Sequence, residues 1–186
     1  AKNLTTVAIT GTKGKTSISF MLKTIFENAG IKTGIIGTTG IYYGDTSIKT
    51  ENSTPESYEI HYHFAKMADA GCKAVVIEAT SQGFKLDRTA GINFDIGIYT
   101  NLSPDHIGGN EHADFAEYLN CKKMLFTQCK NGIANADSEY FAEITKNAVC
   151  PIKTYALDST ADYMAKNLSF TTDNKQLCTK FNCVYD

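Results

Sequence analysis

No stretch of the 186-residue chain approaches the roughly 18 consecutive apolar residues that a membrane-spanning helix needs. Blocks of like charge are missing too: 18 Lys and Arg stand against 20 Asp and Glu, a formal net charge of −2. Without a broad basic field, neither a nucleic-acid nor a membrane partner is expected. The N-terminal residues lack the apolar core of a secretory signal, which predicts a cytoplasmic protein. The first residue is Ala and not Met, as expected of a processed or cut chain. Cys72, Cys121, Cys129, Cys150, Cys178 and Cys183 form no CxxC pair and fall at no spacing typical of a zinc site. They are expected as buried or incidental thiols, not as a disulfide framework. Internal repeats, low-complexity tracts and linkers are also lacking.

What is present is enough apolar material for one core. Hydrophobic residues make up 42% and charged residues 20%, which excludes a disordered chain. In the first half, short apolar runs alternate with helical patterns, predicting βαβ units around a mostly parallel sheet. Strands are predicted over Leu4–Thr10, Thr33–Gly37, Ala74–Ile77 and Phe94–Tyr99, with a small hairpin over Ile41–Ile48. Ile18, Met21, Leu22, Ile25 and Ala29 recur at helical spacing, and Gly30 closes that helix. Pro55 is read as opening a second helix that ends at Gly71, with Tyr58, His61, Phe64, Ala65 and Ala68 on one face. A long helix is predicted over Ala113–Cys129, with Phe115, Leu119, Leu125 and Phe126 among its apolar positions. A strand over Ile133–Ala136 and a helix over Ser138–Lys146 follow. Beyond Pro151 the runs Ile152–Ala156, Leu168–Thr171 and Leu177–Val184 predict strands, with antiparallel pairing about a turn at Asp173–Asn174. The fold class expected is α/β: a three-layer nucleotide-binding domain with a smaller antiparallel region near the C-terminus.

The strongest local signal is Gly11, Thr12, Lys13, Gly14, Lys15, Thr16 and Ser17, set between a β-run and a helix. Backbone N–H groups of such a turn surround phosphate oxygens that a Cβ would obstruct. Lys15 supplies a cation for the β- and γ-phosphates, and the Thr16 hydroxyl suits Mg2+. One departure is Ile9, which stands where the usual motif has its first glycine. The loop predicts a nucleotide site but no particular reaction.

Other chemistry gathers at predicted strand ends, where open parallel sheets place their ligands. Glu78 follows Ala74–Ile77, and a carboxylate there suits Mg2+. Asn101, Asp105 and His106 follow Phe94–Tyr99 and reach the same rim. His61 and His63 have no acid or cysteine partner in the sequence and are read as structural. Lys122 and Lys123 lie mid-helix, and spacing alone leaves both as solvated positions.

Taken in order, GTKGKTS (11–17), ENSTPES (51–57), EATSQGFKLDR (78–88), TNLSPDHIGGNEH (100–112), EYLNCKKMLF (117–126) and NADS (135–138) resemble the Mur ligases. Within that family the resemblance is to members that add the third residue of the peptidoglycan stem peptide. It implies an ATP-dependent amide-bond ligase that converts the terminal carboxylate of UDP-MurNAc-L-Ala-D-Glu to an acyl phosphate, which an incoming amino acid attacks. It further implies that Glu78 and His106 help hold Mg2+. A carbamylated lysine for a second Mg2+ falls at Lys122 and not Lys123, by the register of Tyr118, Leu125 and Phe126. Asn52, Ser53, Thr54, Thr80 and Arg88 match positions that hold the nucleotide-sugar substrate. The residue two before Arg88 is Leu86, where some members have glutamine. The segment between Asp105 and Tyr118 is two residues longer than usual, and Gly108 replaces a frequent Asp. The resemblance also implies that the chain is part of a central ATP-binding domain, without the UDP-binding and amino-acid-binding domains. Such a fragment is expected to bind ATP weakly and to be inactive alone. Three alternatives remain at this level: another Mur-type ligase or folylpolyglutamate synthetase, a phosphate-loop ATPase or kinase without ligase activity, and a nucleotide-binding regulatory module.

Overall fold

Alternating β-branched runs and amphipathic segments build one ten-stranded sheet with helices on both faces. The computed structural model describes residues 4–104, 108, 111–173 and 176–185. Strand β1 (Thr5–Thr10) leads into helix α1 (Lys15–Asn28) and strand β2 (Thr33–Gly37). A hairpin of β3 (Gly40–Tyr43) and β4 (Thr46–Ile48) precedes α2 (Ser57–Asp69) and β5 (Ala74–Glu78). Then come α3 (Ser81–Lys85), β6 (Phe94–Tyr99), α4 (Phe115–Lys123) and a 3-10 turn over Met124–Thr127. The chain finishes with β7 (Cys129–Asn135), α5 (Phe141–Thr145), β8 (Ile152–Ala156), β9 (Tyr163–Asp173) and β10 (Gln176–Tyr185).

The strand order is β10-β9-β8-β7-β6-β1-β5-β2-β3-β4. Pairing is parallel from β2 through β5, β1, β6, β7 and β8 to β9, and antiparallel at both ends. Because β1 lies between β5 and β6, the loops leaving these three strands meet at one rim, the place where open α/β sheets form a ligand crevice. One sheet face packs Ala8, Ile36, Val75 and Ile77 against the face of α2 made by Ile60, Phe64 and Met67. The other packs Val7, Ile9, Val76 and Ile98 under Ile18, Leu22 and Phe26 of α1. Among the described residues no helix is long and apolar enough to cross a membrane.

Several boundaries differ from the sequence expectation, each for a local reason. Pro55 lies outside α2, because Glu56 is the N-cap and forms a reciprocal capping box with Glu59. The buried face of α2 is Ile60, Phe64 and Met67, while Tyr58, His61 and Ala65 face solvent. Two helical stripes overlap at Phe64, and the one without a phenol or imidazole to desolvate turns inward. Helix α4 is nine residues and not seventeen: Asp114 caps its start by accepting from Glu117 N, and the chain tightens into the 3-10 turn after Lys123. Cys129 is already strand, drawn into register opposite Phe94 of β6. Helix α5 is likewise shorter than Ser138–Lys146. Strands β9 and β10 pair antiparallel from Asp173 and Gln176 outward; Asn174 of the expected turn lies outside the described residues. All six cysteines are free thiols, and the sulfurs of Cys129 and Cys150 lie 3.5 Å apart. Cys178 is half-buried and Cys183 exposed.

Candidate active site

The loop between β1 and α1 is shaped for a phosphate. Gly14, the N-cap of α1, has φ of 89°, a left-handed conformation that glycine adopts without a Cβ penalty. It offers no side-chain cap, and no acidic residue occupies the first turn of α1. N–H groups at such a helix start are suited to an anion. Asn101, at the end of β6, grips the loop from the side. Its Oδ1 accepts from Lys13 N (3.0 Å), its Nδ2 donates to Lys13 O (3.1 Å), and its own carbonyl accepts from Thr12 N (2.9 Å). Thr100 Oγ1 also donates to Lys13 O (2.8 Å). Ser17 is exposed on the first turn of α1.

Two lysines 107 positions apart in sequence, Lys15 and Lys122, donate to the same carbonyl, Gly11 O, at 2.8 and 3.0 Å. Lys122 is only 2% exposed, and its Nζ lies 4.5 Å from the Tyr118 ring centroid. This overturns the reading of Lys122 as a solvated helix position. The i, i+4 face of α4 formed by Tyr118 and Lys122 turns toward the phosphate loop, and Tyr118 OH meets Thr12 Oγ1 at 3.0 Å. Its neighbour Lys123 is half-buried.

Glu78 ends β5 inside the protein, 1% exposed. Its carboxylate accepts from Thr16 Oγ1 at 2.9 and 3.1 Å, from Thr38 N at 3.1 Å and from Thr38 Oγ1 at 3.0 Å. A Cβ at position 37 would overlap Glu78 Oε1, so Gly37 is what allows the carboxylate to lie against the end of β2. Buried carboxylates persist when hydrogen-bonded, and this donor set is all hard oxygen. It fits Mg2+ sharing its shell with phosphate and water. Among the described residues no group of three or more His, Cys, Asp and Glu side chains converges as a self-sufficient metal cage. Asp105 and His106 lie outside the described residues.

Across the rim, the Thr54 hydroxyl donates to Glu78 O (2.8 Å), accepts from Thr80 N (2.9 Å) and lies 2.9 Å from Thr80 Oγ1. Thr80 in turn caps α3 by accepting from Gly83 N (3.0 Å). Arg88 donates to Thr54 O (3.1 Å) and pairs with Glu56 at 2.8 Å, while its buried Nε has no hydrogen-bond partner among the described residues. Ser53 Oγ lies 2.8 Å from Thr38 Oγ1, and Asn52 is exposed. These elements enclose a cleft of about 400 Å3 whose walls include Lys15, Thr38, Asn52, Arg88, His112 and Lys122.

Three of these participants were not singled out by motif reasoning: Thr38, His112 and the Tyr118 hydroxyl. Thr38 was accessible as a hydroxyl residue just past a buried strand. His112 carries no such cue, because its burial depends on α3, which is distant in sequence. The ring is 2% exposed, with Nε2 at 2.9 Å from Ser81 Oγ and Nδ1 at 3.4 Å from Glu117 Oε2. Burial holds its pKa below the usual imidazole value despite the Glu117 carboxylate nearby, so the ring is neutral near pH 7.

Residues 9–184 match the Mur ligase middle domain. Over 164 residues the chain is 40% identical to a UDP-N-acetylmuramoyl-L-alanyl-D-glutamate–2,6-diaminopimelate ligase from Clostridium perfringens, covering 86% of this chain and 34% of that protein. The enzyme of the same name from Clostridium tetani is 39% identical over 183 residues, covering 95% of this chain and 37% of the relative. A solved structure bearing that enzyme name superposes with a TM-score of 0.86 at 28% identity, over 98% of this chain and 37% of the other. The chain thus spans about a third of the length of the curated relatives it matches.

Proposed function

Because the chain belongs to the Mur ligase family, through the middle domain of these enzymes, we propose that it is the ATP- and Mg2+-handling part of a ligase that adds the third residue to UDP-MurNAc-L-Ala-D-Glu. The relatives' names direct the added residue to 2,6-diaminopimelate. The observation that carries the reading is the meeting of Lys15, Thr16, Glu78 and Lys122 around one phosphate loop. A kinase or simple ATPase needs the first three, and the buried lysine of α4 is the part it has no use for.

In the proposed reaction the substrate carboxylate attacks the γ-phosphorus of ATP, ADP leaves, and an acyl phosphate forms. The amine of the third residue then attacks that carbonyl and phosphate departs, leaving an amide. The loop N–H groups and Lys15 hold the phosphates and offset the negative charge that moves between them. Thr16, Glu78 and His106 would hold Mg2+, which would supply further charge neutralisation on the phosphate oxygens when bound. Asn101 acts on the nucleotide by fixing the loop backbone. Asn52, Ser53, Thr54, Thr80 and Arg88 receive the muramyl dipeptide, with Arg88 facing its acidic groups. The compartment proposed is the cytoplasm, as the one that holds ATP and UDP-linked precursors.

Lys122 is proposed to carry CO2 as a carbamate. Two ammonium groups on one carbonyl oxygen repel each other, and carbamylation of Lys122 makes that pairing attractive beside Lys15. The anion so formed suits a second Mg2+. The deciding experiment is phosphate release by the full-length enzyme. Release is expected to require both UDP-MurNAc-L-Ala-D-Glu and 2,6-diaminopimelate; release independent of either identifies a phosphate-loop ATPase or kinase instead.

A further inference from the structure

Buried imidazoles are uncommon without a task, and His112 is 2% exposed in the wall of the cleft. The backbone around it is already fastened by other groups. Lys85 Nζ donates to Glu111 O (2.7 Å) and to Glu117 Oε2 (2.9 Å), and Ala113 N donates to the same Glu117 oxygen (2.8 Å). The path of residues 111–113 therefore has anchors besides the imidazole, whose Nδ1 lies 3.4 Å from the same Glu117 oxygen. What the ring adds is a contact across 31 positions, from Nε2 to Ser81 Oγ at 2.9 Å, while its face packs on Tyr118 at 5.2 Å between centroids.

Ser81 immediately follows Thr80, and Thr80 is bonded through both backbone and side chain to Thr54, whose carbonyl receives Arg88. The phosphate loop has its own supports in Asn101, Thr100 and Tyr118. We infer that His112 is a positioning residue for the acceptor substrate: it pins the Thr80–Ser81 turn to α4 and so sets the Thr54–Thr80–Arg88 wall against which the muramyl dipeptide lies. The inference rests on the ligase reading above. It goes further in giving the dipeptide side of the cleft its own brace at Ser81, while the ring packs on Tyr118, which also supports the phosphate loop.

The test uses the full-length ligase with His112→Phe, which keeps the ring packing on Tyr118 and removes Nε2, together with Ser81→Ala, the double variant and His112→Gln. Each single variant is expected to raise KM for UDP-MurNAc-L-Ala-D-Glu by about tenfold and to leave KM for ATP within about twofold. The double variant is expected to be no worse than either single one, because both remove the same contact. His112→Gln, which can still reach a hydroxyl, is expected to recover most of the loss. An unchanged dipeptide KM, equal rises for both substrates, or additive effects in the double variant overturn the inference. If His112→Phe does not fold, Ser81→Ala and His112→Gln decide between the same outcomes. A wild-type enzyme without dipeptide-dependent turnover overturns the ligase reading and this inference with it. An active wild type with unmoved variants overturns this inference alone.

Discussion

A carboxylate that is 1% exposed and yet meets three donors is held by its surroundings more than by its own chain, and Glu78 shows how little room that leaves. Gly37→Ala sets a methyl group where Glu78 Oε1 lies. The carboxylate or the end of β2 must shift, which is expected to cost about 1–3 kcal/mol of stability. A larger loss is expected in ATP-dependent turnover, read by comparing urea unfolding with phosphate release; wild-type turnover in a destabilised variant rules out the role given to Glu78. Lys122 supports a second residue-scale prediction. Lys122→Ala in the full-length enzyme is expected to lower turnover far more than Lys123→Ala, since only Lys122 reaches Gly11 O. With labelled bicarbonate and Mg2+, the wild type is expected to give a carbamate carbon signal that Lys122→Ala lacks; equal turnover losses, or no signal, remove that assignment. Periodicity could not distinguish these neighbours, because both fit a solvated helix. The register of Tyr118, Leu125 and Phe126 singles out Lys122 by resemblance alone, and Lys122 is the buried one of the two. His112 was illegible for the opposite reason: nothing in its local pattern encodes a partner 31 residues away.

At the scale of elements, most strands were legible because parallel strands buried on both faces read as apolar runs, as in Ala74–Ile77 and Phe94–Tyr99. Helix boundaries were less so, since caps and tertiary pairing set them: Glu56 displaced the start of α2, and the pull of β6 on Cys129 cut short the helical pattern after Lys123. The C-terminal strands owe their placement to carboxylates that no periodicity reports. Asp162 accepts from Thr154 Oγ1 and Thr154 N, both at 2.7 Å, which tethers the start of β9 to β8. Those bonds, with Lys153 nearby, hold its pKa at about 2. Asp137 is pushed up by burial but pulled down further by N–H donors from Leu157, Ser159 and Asp158, reaching about 2. Both folded values lie below the ordinary Asp value of about 3.9, so the stability they contribute is present above pH ~4 and is lost as pH falls toward ~2. Urea unfolding across this range is expected to show that decline, with a smaller decline in Asp162→Asn. An identical slope in the variant removes Asp162 from the account.

At the scale of the whole molecule, the parallel centre of the sheet is packed on both faces while the β9–β10 ribbon projects with little cover. Residues paired across an antiparallel ladder share a face, and alternate residues along a strand do too. Leu177 pairs with Thr172, so it lies on the face that also carries Phe170 and Leu168. Their exposures are 80%, 74% and 43%. Strand β10 is also an outermost strand of the sheet, ten residues long, and its outer backbone groups face away from β9. An exposed apolar strip beside a long edge strand is a template for pairing between chains. The 186-residue chain by itself is therefore expected to self-associate with rising concentration, and Leu177→Lys with Phe170→Lys to keep it monomeric, as read by sedimentation velocity. The same chain is expected to bind ATP weakly and to form no amide, because its cleft is proposed to face ATP and the acceptor, and the incoming amine is assigned to none of its described residues. Calorimetry with ATP and Mg2+, run on the Lys variants to keep association out of the signal, separates the two expectations. Weak ATP binding by a monomeric variant that still forms no amide supports a self-contained nucleotide half. Amide formation by these residues alone contradicts the assignment of the chain to a middle domain's share of the work.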